Sequence, residues 1–132
     1  MSTPVKINVK TTINEQETFE LVVFGQYDQK EHSSYLRYEE VLEEGSVRTI
    51  VKTTDDEVLI LRSGAVKMRL PFQLHKKMKG SFETPLGRFD TTTTAQRLQH
   101  GKGMIDILYD FSLQGSHAGT YHMEISFQED KI

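Results

Sequence analysis

The chain has 132 residues, 27% of them charged and 36% hydrophobic, with a formal net charge of −3 and no cysteine. That length suits one domain, residues 1–132, and such a domain buries roughly two-thirds of the surface its unfolded chain exposes, so it needs no covalent staple. The composition excludes disulfides, thiolate metal sites and cysteine nucleophiles, and the charge marks neither a nucleic-acid binder nor a strongly acidic carrier.

The amino terminus alternates almost at once, with Val5, Ile7 and Val9 set against Lys6, Asn8 and Lys10. No basic segment followed by an apolar run precedes it, and no stretch approaches the roughly 18 apolar residues of a membrane helix. The expectation is a cytoplasmic protein without a signal peptide. Phe19, Leu21 and Val23 resume the alternation after Asn14-Glu15. Leu36, Tyr38 and Leu42 share one parity, as do Val47, Thr49 and Val51, then Val58 and Ile60, then Val66, Met68 and Leu70. Ile105, Ile107, Tyr109, Phe111 and Leu113 form the next series, and Tyr121, Met123, Ile125 and Phe127 the last. Successive side chains of a strand point to opposite faces, so a period of two is what half-buried strands require.

Turn residues separate these runs: Glu44-Gly45-Ser46, Thr54-Asp55-Asp56, Ser63-Gly64, Lys79-Gly80, Pro85-Leu86-Gly87, Gly101-Lys102-Gly103 and Gln114-Gly115-Ser116. The segment from Ser33 to Glu44 is the best helical candidate, but Tyr35, Tyr38 and Val41 favour a strand there. The links are short, so strands adjacent in sequence pair as hairpins. An all-β, antiparallel, up-and-down meander of about eight to ten strands follows. Closure into a barrel removes exposed edges, and a barrel of this size is filled by side chains or admits one small ligand.

The segment Leu36-Arg37-Tyr38-Glu39-Glu40, then Gly45, then Arg62-Ser63-Gly64, carries a family pattern. Phe82-Glu83-Thr84-Pro85-Leu86-Gly87 and Ile107-Leu108-Tyr109 continue it. In order and spacing these residues resemble the YwiB-like family of uncharacterised bacterial β-barrel proteins, over almost the whole chain from Ile7 to Phe127. The resemblance implies a barrel similar to the calycin (lipocalin-like) fold and a cytoplasmic bacterial setting. It implies no activity. One departure is Phe82, which stands where tyrosine is expected and supplies no hydroxyl.

Polar residues in apolar register are the candidate site. Tyr38 and Glu40 share parity with Leu36 and Leu42, and Arg62 shares it with Val58 and Ile60. Inside a barrel Glu40 and Arg62 must pair, because an isolated buried charge is very costly. Such a pair, with the hydroxyls of Tyr38 and Tyr109, could bind the carboxylate or amine of a small ligand in a pocket; the competing roles are a structural ion pair closing one barrel end, or two residues at exposed strand ends.

Charge is uneven along the chain. Residues 62–88 hold seven basic and one acidic residue, 7 − 1 = +6, and residues 14–44 hold two basic and nine acidic, 2 − 9 = −7. These patches could meet a partner or pair between copies in a homo-oligomer, or simply solvate strand faces. Aromatic residues within the basic stretch, Phe72 and Phe82, are too few to favour nucleic acid. His100, His117, His122 and Glu124 have a metal flavour, but His117 and His122 have opposite parity, so no metal site is expected. Nucleophile elbows, phosphate loops and His-Glu-x-x-His motifs are missing.

The expectation is therefore a non-enzymatic barrel without a cofactor and without a membrane partner. It binds a small, partly apolar ligand inside or at its mouth. The alternative is a protein- or nucleic-acid-interaction module that uses its charged outer face, basic 62–88, around a solid core.

Overall fold

The computed structural model describes residues 2–130. Ten strands follow in chain order: β1 (Thr3–Ile13), β2 (Glu17–Gln29), β3 (Ser34–Leu42), β4 (Gly45–Thr53), β5 (Glu57–Gly64), β6 (Lys67–Gln73), β7 (Lys77–Thr84), β8 (Gly87–Gly101), β9 (Met104–Leu113) and β10 (Ser116–Glu129). Each pairs antiparallel with its neighbours in sequence, and β1 pairs with β10, so the meander closes into a barrel. The segment from Ser34 to Leu42 is a strand, as its aromatic and β-branched residues require. Among the described residues no helix is long and apolar enough to cross a membrane.

Register decides what faces inward. Val5 and Ile7 on β1, Val51 on β4, Val58 and Ile60 on β5 and Ile105 and Ile107 on β9 are buried and belong to one core. Their neighbours Lys6, Lys52 and Asp106 point the other way, as the two-residue period demands. A one-residue slip would turn every apolar face outward, so burial itself specifies the register.

One expected turn is absent. Lys79-Gly80 lies within β7, and the chain reverses instead at Leu74–Lys76, where His75 adopts a positive φ of 59°. Gly80 serves close approach: a Cβ there would sit 2.1 Å from the Arg69 carbonyl oxygen on β6. Gly25 does the same between β2 and β3, where a Cβ would sit 2.1 Å from the Arg37 carbonyl oxygen. Both are strand glycines that let two backbones meet.

The interior divides into two halves. At the end that carries the β2–β3, β4–β5, β6–β7 and β8–β9 connections, Ile7, Leu36, Val58, Phe72 and Ile107 are fully buried and fill the barrel. Phe72 meets Tyr109 edge-on with ring centroids 4.7 Å apart. Thr93 donates its hydroxyl to the Pro71 carbonyl, which tethers β8 to β6 where the two strands are not direct neighbours. Asp28 is held by the Ser2 hydroxyl and the Arg37 guanidinium, which together keep its carboxyl below the usual range. The opposite end is hollow.

Candidate functional site

The hollow half encloses a cavity of about 620 Å³, within the range of small-molecule sites. Its wall is mostly apolar: Val9, Leu21, Met68, Phe82, Phe111 and Met123 among others. Tyr109 forms its floor, stacked on Tyr121 at 5.5 Å, and Tyr121 meets Phe111 edge-on at 5.5 Å. This aromatic row joins the solid core to the cavity wall.

The polar groups gather on one wall. Tyr38 on β3 lies opposite Thr49 on β4, and Thr49 lies opposite Arg62 on β5, so three strands place these side chains in a row across the inner face. Glu40, two residues beyond Tyr38, returns to the same face and accepts a hydrogen bond from Arg62 Nη2 at 2.7 Å. The two side chains are 18% and 26% exposed, and both border the cavity. The bond uses one guanidinium nitrogen and one carboxylate oxygen, so donors of Arg62 and the second oxygen of Glu40 remain for a guest or for water.

Burial raises the Tyr38 hydroxyl above its ordinary pKa, and the charge of Glu40 adds to this; Arg62 and the nearby Thr49 hydroxyl pull the other way. Burial also pushes the Tyr109 hydroxyl up, with Tyr121 as a second cause. Both phenols, like tyrosines at their ordinary value, are neutral and able to donate at physiological pH. Thr49 is buried, and among the described residues its Oγ1 has no hydrogen-bond partner of good geometry. Tyr38 is close enough to feel it but not placed for a bond of good geometry. A buried hydroxyl left unpaired is unfavourable unless something else satisfies it.

Beside the cavity the β2–β3 ladder is short. β2 and β3 pair only from Gly25–Tyr38 to Gln29–Ser34, whereas β2 pairs with β1 from Glu17 to Tyr27. Beyond Gly25 the two strands part, and Phe19, Glu20 and Leu21 on one side and Glu40 on the other line the cavity at this seam. Glu20 would face outward by parity, yet it borders the cavity at this seam.

All four residues singled out from the sequence thus border one cavity. Glu40 and Arg62 are bonded, Tyr38 is on the same wall, and Tyr109 comes from the facing strand β9 without a hydrogen bond to the pair. Sequence reasoning placed Thr49 on the inner face only as a member of an apolar series. It also missed Tyr121, whose inward parity was visible, and the seam, which no local pattern announces.

The histidines divide differently than their sequence spacing suggests. His122 and Glu124 on β10 meet Asp106 on β9, with potential ligand atoms within 4.8 Å of one another on the outer wall. His117 is not part of this group, and His100 borders a separate depression of about 300 Å³ at the solid end. Arg97 Nη2 sits 3.1 Å from Asp106 Oδ1 and 3.0 Å from His122 Nε2. A guanidinium thus stands where a cation would have to bind, and the group is an ion-pair network across β8, β9 and β10.

Residues 5–125 match the family described as "Domain of unknown function (DUF1934)". The chain belongs to this family. It is 32% identical over 133 residues to the uncharacterised β-barrel protein YwiB of Bacillus subtilis (strain 168), spanning 96% of this chain and 94% of that one. The crystal structure of the YwiB protein from Bacillus subtilis is similar with a TM-score of 0.87 and 30% identity, covering 98% of this chain and 94% of that chain. The YwiB-like kinship and the closed antiparallel meander expected from turn residues and periodicity are both shown.

Proposed function

We propose that this barrel is a non-enzymatic, cytoplasmic binder of a small, partly apolar molecule, held in the hollow half. The observation that carries the reading is the cavity of about 620 Å³, with an apolar wall and polar groups confined to one side. Convergent polar groups in an otherwise apolar concavity are the usual make-up of a small-molecule site. Ion pairs that serve only structure have no need of adjoining empty volume. Charged residues such as Lys6, Lys10, Arg48 and Lys52 are spread over the outer faces, the reverse of the apolar band of a lipid-facing barrel.

The test is binding of Nile red, an uncharged fluorophore that brightens in apolar surroundings, to the purified full chain. Saturable binding with one site per chain, lost when Met123→Trp fills the cavity while thermal unfolding stays cooperative, supports the reading. Binding that survives the filled cavity contradicts it.

A second reading rests on charge. The acidic strands β2 and β3 and the basic strands β6 and β7 are separated by β4 and β5 on one side of the closed ring and by β1, β10, β9 and β8 on the other. Arg62 faces the cavity, so it leaves the basic outer patch. Lys67, Arg69, Lys76, Lys77, Lys79 and Arg88 remain exposed there, against Glu83. This polarity suits an electrostatically steered partner. The hollow half removes the solid core that this alternative assumed.

A further inference from the structure

The reading of the cavity as a ligand site leaves open what kind of head group it takes, and the following step rests on that reading. We infer that the cavity selects amphiphiles with an uncharged polar head, such as an alcohol or a carboxamide, and rejects carboxylates of the same chain length. The charges bordering the cavity are Glu20 and Glu40 against Arg62. Arg62 is already bonded to Glu40 at 2.7 Å, so its charge is spoken for locally.

A carboxylate head brought to Arg62 must also come within a few ångströms of Glu40. The attraction of one and the repulsion of the other then nearly cancel, while the cost of removing the head from water remains. Glu20, which also borders the cavity, adds further repulsion. An ammonium head gains from Glu40 and Glu20 but meets Arg62, so it falls between the two. An uncharged head avoids these penalties.

The same wall supplies what an uncharged head needs. The guanidinium of Arg62 keeps donors that Glu40 does not use. The Tyr38 hydroxyl on the same wall is a neutral phenol that can donate and accept. Together with the second oxygen of Glu40 they offer both donors and acceptors, the complement of a hydroxyl or an amide. The alkyl body then lies against Met68, Phe82, Phe111 and Met123.

The test is competition against Nile red with four chain-matched probes: 1-decanol, decanamide, decylammonium and decanoate. In the native chain, decanol and decanamide should displace the dye at concentrations at least tenfold lower than decanoate, with decylammonium between. Glu40→Gln frees Arg62 and should move decanoate at least tenfold tighter relative to decanol. Arg62→Gln should do the same for decylammonium. The double exchange Glu40→Arg with Arg62→Glu keeps a neutral pair and should keep the native order, which guards against a single variant that fails to fold.

Decanoate binding best in the native chain, or an order unmoved in both single variants, overturns the inference while leaving the cavity a ligand site. Nile red that fails to bind the native chain overturns the underlying reading and this inference with it.

Discussion

The two halves of this barrel are built from the same ten strands yet behave as different materials. At one end inward positions hold Ile7, Leu36, Val58, Phe72 and Ile107, all fully buried. At the other, the same inward parity delivers Thr11, Tyr38, Glu40, Thr49 and Arg62, together with aromatic and methionine side chains that do not meet across the barrel. The backbone diameter is set by strand number and stagger, so side-chain choice decides whether a given level is filled. The contrast teaches that stability is concentrated at one end, leaving the other free to carry groups that a packed core would not tolerate.

The largest expected effect separates the halves directly. Ile107→Ala, in the solid half, should cost about 2–5 kcal/mol, because it removes buried surface and leaves a void. Met123→Ala, whose side chain already borders open space, should cost less than half as much by chemical denaturation. Equal costs would break the comparison.

Removing one member of the ion pair comes next. Glu40→Gln leaves Arg62 half-buried without its carboxylate and should destabilise by about 1–2 kcal/mol. The double variant Glu40→Gln/Arg62→Gln should lose less than the sum of the two single changes, as expected for residues in contact.

A smaller effect appears at high pH. The folded state raises the Tyr38 and Tyr109 hydroxyls above 10.0. Their contribution is fully present below the unfolded pKa and is lost as pH rises above it, because the unfolded chain then releases protons that the folded chain retains. Tyr109→Phe should therefore reduce the fall in stability near pH 11 by about 1 kcal/mol. pH-dependent urea melts would show it, and an unchanged fall would remove burial as the cause.

The smallest change has the opposite sign. Thr49→Val replaces an unpaired buried hydroxyl with a methyl group and should raise stability by up to about 1 kcal/mol. A clear loss of stability would mean that Thr49 Oγ1 is satisfied in solution.

The solid half was almost wholly legible in the sequence, since alternation at Val5–Ile7, Val58–Ile60 and Ile105–Ile107 is enough to assign strand, face and burial. The hollow half was legible in part. Glu40 and Arg62 stood out because charge in an apolar register demands a partner. Thr49 did not, because threonine is ordinary in a strand and its lack of a partner is a fact of three dimensions. Gly80 was misplaced as a turn because glycine serves both turns and close approach, and only the Arg69 carbonyl opposite it decides between them. The seam between β2 and β3 escaped for a similar reason: pairing is a relation between strands, and nothing in Phe19–Phe24 alone announces where it stops.

Methionine methyl resonances test the division of the barrel most directly. Of the five methionines, Met68 and Met123 line the cavity, Met78 lies outside its lining, and Met104 borders the depressions elsewhere. On titration of the 13C-methyl-labelled chain with 1-decanol, the account predicts saturable shifts at Met68 and Met123 and none at Met78 or Met104. Shifts confined to Met104, or none at Met68 and Met123, would contradict a hollow, ligand-binding half.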